Sequence, residues 1–109
     1  MTIETIIPIL FHWDDLTAEQ YEGETGSATI KAQSVGSIQI RQVTYSKNYL
    51  ADHWCDKGHI VFVISGQLKI EHKDGNLFTL DRGATYVVGD NTMAHKAQSE
   101  EGAVVLIVD

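Results

Sequence analysis

Cysteine occurs once in this chain of 109 residues, so no disulfide can form within it, and a reducing cytoplasm is the expected compartment. Proline also occurs once, at Pro8. It cannot donate to a β-ladder, so the apolar stretch 1–13 is expected to be an edge strand or an arm. Positive charge is scarce: 8 Lys and Arg stand against 15 Asp and Glu, a formal charge of −7. That balance argues against nucleic acid, whose phosphates need a concentrated basic face, and against an anionic membrane surface. No apolar run approaches the roughly 20 residues that span a bilayer. The N-terminal IIPILF has neither a basic leader nor a small-residue cleavage site, so no signal peptide is expected. Helical periodicity is missing as well, which excludes a Rossmann fold or a helix bundle. Ser34 and Ser65 have no histidine at an informative spacing, and the glycines form no phosphate loop.

What the chain does have is short β-friendly runs separated by glycine turns every eight to twelve residues, the all-β pattern. Residues 14–26 are polar and are expected to be a loop; Thr17 with Gln20 fits a capping box for one helical turn over 17–21. Strands are expected at 29–35, 37–45, 59–64, 67–72, 77–80, 85–88 and 94–98, with a last run after Gly102. Residues 59–64 and 103–108 are apolar on both faces and read as central strands, whereas 67–72 alternates like a half-exposed one. In 37–45 neither face is cleanly apolar, but Arg41 and Tyr45 share one, which makes them candidates for a polar pocket. About eight strands without a linker predict one domain, with 1–27 as arm and loop and 28–109 as a closed or doubly layered β structure.

The chemistry is concentrated in 51–59, ADHWCDKGH, which packs two histidines and the only cysteine into one segment. In an extended chain, residues two apart point the same way. His53 and Cys55 are therefore expected on one side and Trp54 on the other, with His59 following after a turn that includes Gly58. The spacing H-x-C-x3-H brings three ligand atoms toward one point, and His95, on a later strand, is the expected fourth. Such nitrogen and sulfur donors suit zinc or iron rather than magnesium or calcium.

These residues carry a resemblance to the cupin superfamily. Its first motif has H-x-H, three or four residues, a glutamate and then a glycine; here His53, Cys55, His59 and Gly66 stand at those offsets. In the second motif, Gly83 opens, Gly89 stands in place of a proline, Asn91 in place of a glycine, and His95 follows one residue late. The string ADHWCDKGHI, with GAVVLIVD at the end, looks like a small single-domain bacterial cupin group named for an Asp-His-Cys-Trp motif. The resemblance implies a double-stranded β-helix, a jelly-roll-like β-barrel, holding one divalent transition metal on His53, Cys55, His59 and His95. Zinc or iron comes first, with nickel, copper or manganese as alternatives. Cysteine in place of the second histidine, and histidine in place of the glutamate, make the site softer than in cupins with three histidines and a glutamate, whose reactions are therefore not carried over.

Three functions fit: a metalloenzyme acting on a small polar metabolite, a module that binds or senses a small molecule through its metal, and a barrel with a purely structural zinc. Arg41, Tyr45 and Tyr86 are the expected pocket-lining residues for a polar or anionic ligand. The apolar arm and the two-sided apolar strands predict a homodimer.

Overall fold

The computed structural model describes residues 6–109. Residues 1–5, the start of the expected arm, lie outside the described residues. Among the described residues, nine strands follow a single 3-10 turn at Trp13–Asp15. They are β1 (Glu19–Glu22), β2 (Ser27–Val35), β3 (Ile38–Tyr45), β4 (Tyr49–Leu50), β5 (His59–His72), β6 (Leu77–Asp81), β7 (Thr85–Val88), β8 (His95–Ser99) and β9 (Ala103–Val108). Every pairing is antiparallel, in the order β1-β2-β3-β9-β5-β8-β4, with β6 and β7 also bonded to β5.

The long strand β5 organises the molecule. Its first half lies between β9 and β7, and its second half between β6 and β8. One strand thus belongs to both layers, and the two layers share a core, with β1, β4, β6 and β7 each bonded to a single neighbour. The change of layer occurs at a bulge, where the register with β9 slips between Val63 and Ser65. The inward set changes there from Val61 and Val63 to Leu68 and Ile70, because one extra residue reverses the alternation. Gly66 makes this possible: its φ is +76°, and a Cβ there would collide with the Gly102 carbonyl oxygen. The expected pair of strands 59–64 and 67–72 is therefore one strand, with Ser65-Gly66 a bend inside it.

The core gathers Val61, Val63, Leu68 and Ile70 with Val43, Tyr45, Leu80, Ala103, Val105 and Ile107. In β3 the buried face is that of Val43 and Tyr45, which settles the ambiguity of that strand and turns Arg41 the same way. In β9, Ala103, Val105 and Ile107 are buried, and the strand lies between β3 and β5 as a central strand. Two local expectations differ from the structure. The polar stretch around Thr17–Tyr21 forms no helical turn; instead Glu19–Glu22 extends and pairs with β2, because backbone ladder bonds to an open strand edge outweigh a single capped turn. On β5, Ile60, Phe62 and Ile64 point outward and are exposed, so that half of the strand is central in the sheet but covered on one face only.

Candidate metal centre

Cys55 and His95 are placed by the backbone. The Cys55 N–H donates to the His95 carbonyl at 2.7 Å, and the His95 N–H donates back to the Cys55 carbonyl at 3.0 Å. Residues that exchange both bonds sit directly opposite, with their side chains on one face. His59 opens β5 next to them, after a turn in which the Gly58 N–H donates to the Asp90 carboxylate at 2.7 Å. Asn91, where the resemblance calls for a glycine, has φ 55°, a left-handed conformation that asparagine tolerates better than most residues. Cys55, His59 and His95 bring one ligand atom each within 4.8 Å of one another.

The two imidazoles stand edge to face, and their Nε2 atoms are 2.8 Å apart. Their outer nitrogens fix the protons. His95 Nδ1 lies 2.8 Å from the Met93 carbonyl, which can only accept, so Nδ1 carries the hydrogen. His59 Nδ1 lies 3.3 Å from Asp109 Oδ2, again an acceptor, so the same tautomer follows. Burial holds the His59 pKa below its ordinary 6.5; the hydrogen bond to Asp109 opposes this in part, and His95 adds to the lowering. With both Nδ1 atoms donating outward, the two Nε2 atoms face each other across 2.8 Å, and a cation between them, a proton or a metal ion, joins the two lone pairs. A thiol beside two such nitrogens is a donor set that zinc or iron fits.

The cluster lies on the wall of a cavity of about 760 Å³. Arg41 and Tyr45 line it together with Tyr49, Lys57 and Ile107. The Tyr45 hydroxyl has no hydrogen-bond partner among the described residues, and burial raises its pKa well above the ordinary 10, so it remains a donor. Tyr86 is not part of that lining: its hydroxyl pairs with His72 Nε2 at 2.6 Å, and its ring packs 6.2 Å from that of His95.

His53 is placed differently from the other three expected ligands. Its side chain is 76% exposed, at the rim of the cavity, and Nδ1 pairs with Asp52 at 2.6 Å. The backbone bends at 52–53, so the two-residue alternation that put His53 beside Cys55 does not apply there. Trp54 lies away from the cluster, beneath the ammonium groups of Lys73 and Lys96. Asp109 is the residue that the sequence did not single out. Ala103, Val105 and Ile107 face inward on β9, so the same alternation carries Asp109 inward, to a side chain only 1% exposed.

No protein-family model matches the chain, and no curated protein sequence matches it. Solved structures do. A RmlC-like cupin from Shewanella frigidimarina superposes with a TM-score of 0.72 at 14% identity, over 94% of this chain and 90% of that one. Ectoine synthase from P. lautus gives 0.75 at 13%, over 93% and 76%. Fe(II)-HppE, solved with an alternative substrate, gives 0.77 at 13%, over 94% of this chain and 60% of that one. The chain therefore has the cupin fold, a double-stranded β-helix. Its structural neighbours include an iron(II) protein, and its own Cys-His-His group is a possible site for a single metal ion.

Proposed function

We propose that this protein is a metal-binding cupin in which Cys55, His59 and His95 hold one transition-metal ion, zinc or iron, against a cavity that receives a small anionic molecule. The observation that carries the metal is the convergence of three donors, the His59 and His95 Nε2 atoms 2.8 Å apart and the Cys55 thiol, with one ligand atom of each residue within 4.8 Å of the others. With the His53 ring turned to solvent, three protein donors remain, which supports an open coordination position and weighs against a closed structural zinc shell. The ligand class rests on the donors that line the cavity. The Arg41 guanidinium, the Lys57 ammonium and the unpaired Tyr45 hydroxyl all offer hydrogens, and the Asp109 carboxylate already accepts from Arg41.

A bound metal would supply a Lewis acid at that position. The chain's own groups orient and neutralise: Arg41 and Lys57 offset negative charge on the ligand, and Tyr45 donates one hydrogen bond. None of these three is a base at neutral pH; the side chains on the same cavity lining that can accept a proton include Glu19, Glu22, Asp52 and His53. The single free thiol suits a reducing compartment, in keeping with a cytoplasmic protein.

Titrating the cobalt(II)-loaded protein with small carboxylates tests this directly. The absorption bands of the bound ion are expected to shift as the carboxylate takes the open position, and Arg41→Met is expected to weaken the titration about tenfold, the loss of one charge-assisted contact of about 1.5 kcal/mol. A spectrum that no carboxylate perturbs would point to a closed, structural centre. We further infer a homodimer, supported by the exposed Ile60, Phe62, Ile64 and Val87 on the outer sheet face and by Ile7 and Leu10 in the arm. Light scattering is expected to give twice the chain mass at micromolar concentration; the mass of a single chain would dismiss the dimer.

A further inference from the structure

The Asp109 carboxylate stands where two parts of the site meet. One oxygen, Oδ2, lies 3.3 Å from His59 Nδ1, 2.7 Å from Arg41 Nη2 and 3.6 Å from Lys57 Nζ. The backbone holds the residue still: the Asp109 N–H donates to the Gln39 carbonyl at 3.0 Å, and the Gln39 N–H donates back at 2.7 Å. The other oxygen, Oδ1, is buried and has no hydrogen-bond partner among the described residues. A buried carboxylate left half unpaired is unfavourable. The ion pair to Arg41 accounts for an acceptor at Oδ2, but not for the contact of the same oxygen with His59 or for the unpaired Oδ1.

On the basis of the metal reading above, we propose that Asp109 is the positioning residue of the centre: it fixes His59 with Nε2 toward Cys55 and His95, and offsets the two cations that flank that ligand. The first role follows from geometry. A carboxylate that accepts from Nδ1–H selects the tautomer with a free Nε2 and fixes the plane of the ring, as outer partners of ligating histidines do. The second follows from charge. Arg41 and Lys57 would otherwise place two positive charges beside a site meant for a divalent cation, and a low local dielectric strengthens that repulsion. The same contact to Nη2 holds Arg41 on the cavity wall, so one side chain sets both the metal ligand and the residue assigned to the anion.

The two roles separate by substitution. In Asp109→Asn the amide oxygen can still accept from His59, but the charge is gone. In Asp109→Ala both are lost. Cobalt(II) affinity, read from the thiolate charge-transfer band, is expected to fall in the order wild type, Asp109→Asn, Asp109→Ala, with the last weaker by about 10–100-fold. At saturation the d–d bands of Asp109→Ala are expected to move, because the His59 ring is no longer held in one orientation. Melting of each variant in chelator reports the fold alone, and the near-isosteric Asp109→Asn carries the test if Asp109→Ala does not fold. Folded variants that bind cobalt(II) with wild-type affinity and an unchanged spectrum would overturn the role of Asp109 while leaving the metal centre intact. If His95→Ala also binds as the wild type does, the metal centre itself fails, and the role of Asp109 with it.

Discussion

His95→Ala is expected to abolish the part of the protein's stability that a chelator can remove. An ion held at a thousand times its dissociation constant adds about 4 kcal/mol to the folded state. For a domain of this size that corresponds to a melting temperature higher by roughly 15 °C. Wild-type protein should lose this increment on chelation. The variant should have nothing to lose, because His95 supplies one of three donors and its backbone pairing to Cys55 places a second. His95 is buried, so its removal also opens a cavity and leaves the Met93 carbonyl without its donor; the chelated variant is therefore expected to melt below the chelated wild type. The difference between loaded and chelated samples isolates the metal. His72→Ala is the control: its ring pairs with Tyr86 outside the cluster, and this variant should keep the chelator-sensitive increment. An increment of equal size in His95→Ala and wild type would place the metal elsewhere or remove it altogether.

The second large effect concerns the bend in β5. Gly66 and Gly75 both have positive φ, +76° and +99°. Their surroundings differ. A Cβ on Gly66 would collide with the Gly102 carbonyl oxygen and lie 2.9 Å from the Ala103 Cα, and neither backbone atom can move without breaking the β5–β9 ladder. A Cβ on Gly75, at the tip of the β5–β6 hairpin, would meet nothing within 4 Å. Gly75→Ala should therefore cost only the conformational term, about 1–2 kcal/mol. Gly66→Ala adds a backbone collision at the point where both layers join and should cost about 4 kcal/mol or more, among the largest effects of single substitutions. Urea unfolding of the two variants measures the difference. Equal losses would mean that the close approach of β5 to residues 102–103 does not constrain the fold.

Legibility in the sequence followed the range of the interactions. Alternation in 67–72 and the glycine turns gave the all-β class, because strand faces and turn chemistry are local properties. The cupin resemblance implies His53, Cys55, His59 and His95 as one set, and the structure brings the donor atoms of the last three together. His53 stands apart, because the chain bends at 52–53 and the alternation of an extended segment does not run through it. Tyr86 is suggested by residue type alone; its strand β7 pairs with β5 such that its hydroxyl meets His72 instead of the cavity. Asp109 was half legible. The alternation of Ala103, Val105 and Ile107 points it inward, but its meeting with His59 depends on the antiparallel register that sets Ile60 opposite Val108. Register between strands so far apart in the chain is fixed by tertiary packing, which no local pattern encodes. The same holds for β5 as one strand. Ser65-Gly66 reads as a turn, and only the register against β9, which slips between Val63 and Ser65, shows that the strand runs through it with a bulge.

Elemental analysis of protein purified without an affinity tag tests the central claim most directly, since an added histidine tag would bring metal of its own. One zinc or iron ion per chain is expected in the wild type, and close to none in His59→Ala. Wild-type protein without stoichiometric transition metal, or a full complement retained by His59→Ala, would contradict the assignment of Cys55, His59 and His95 as the metal centre.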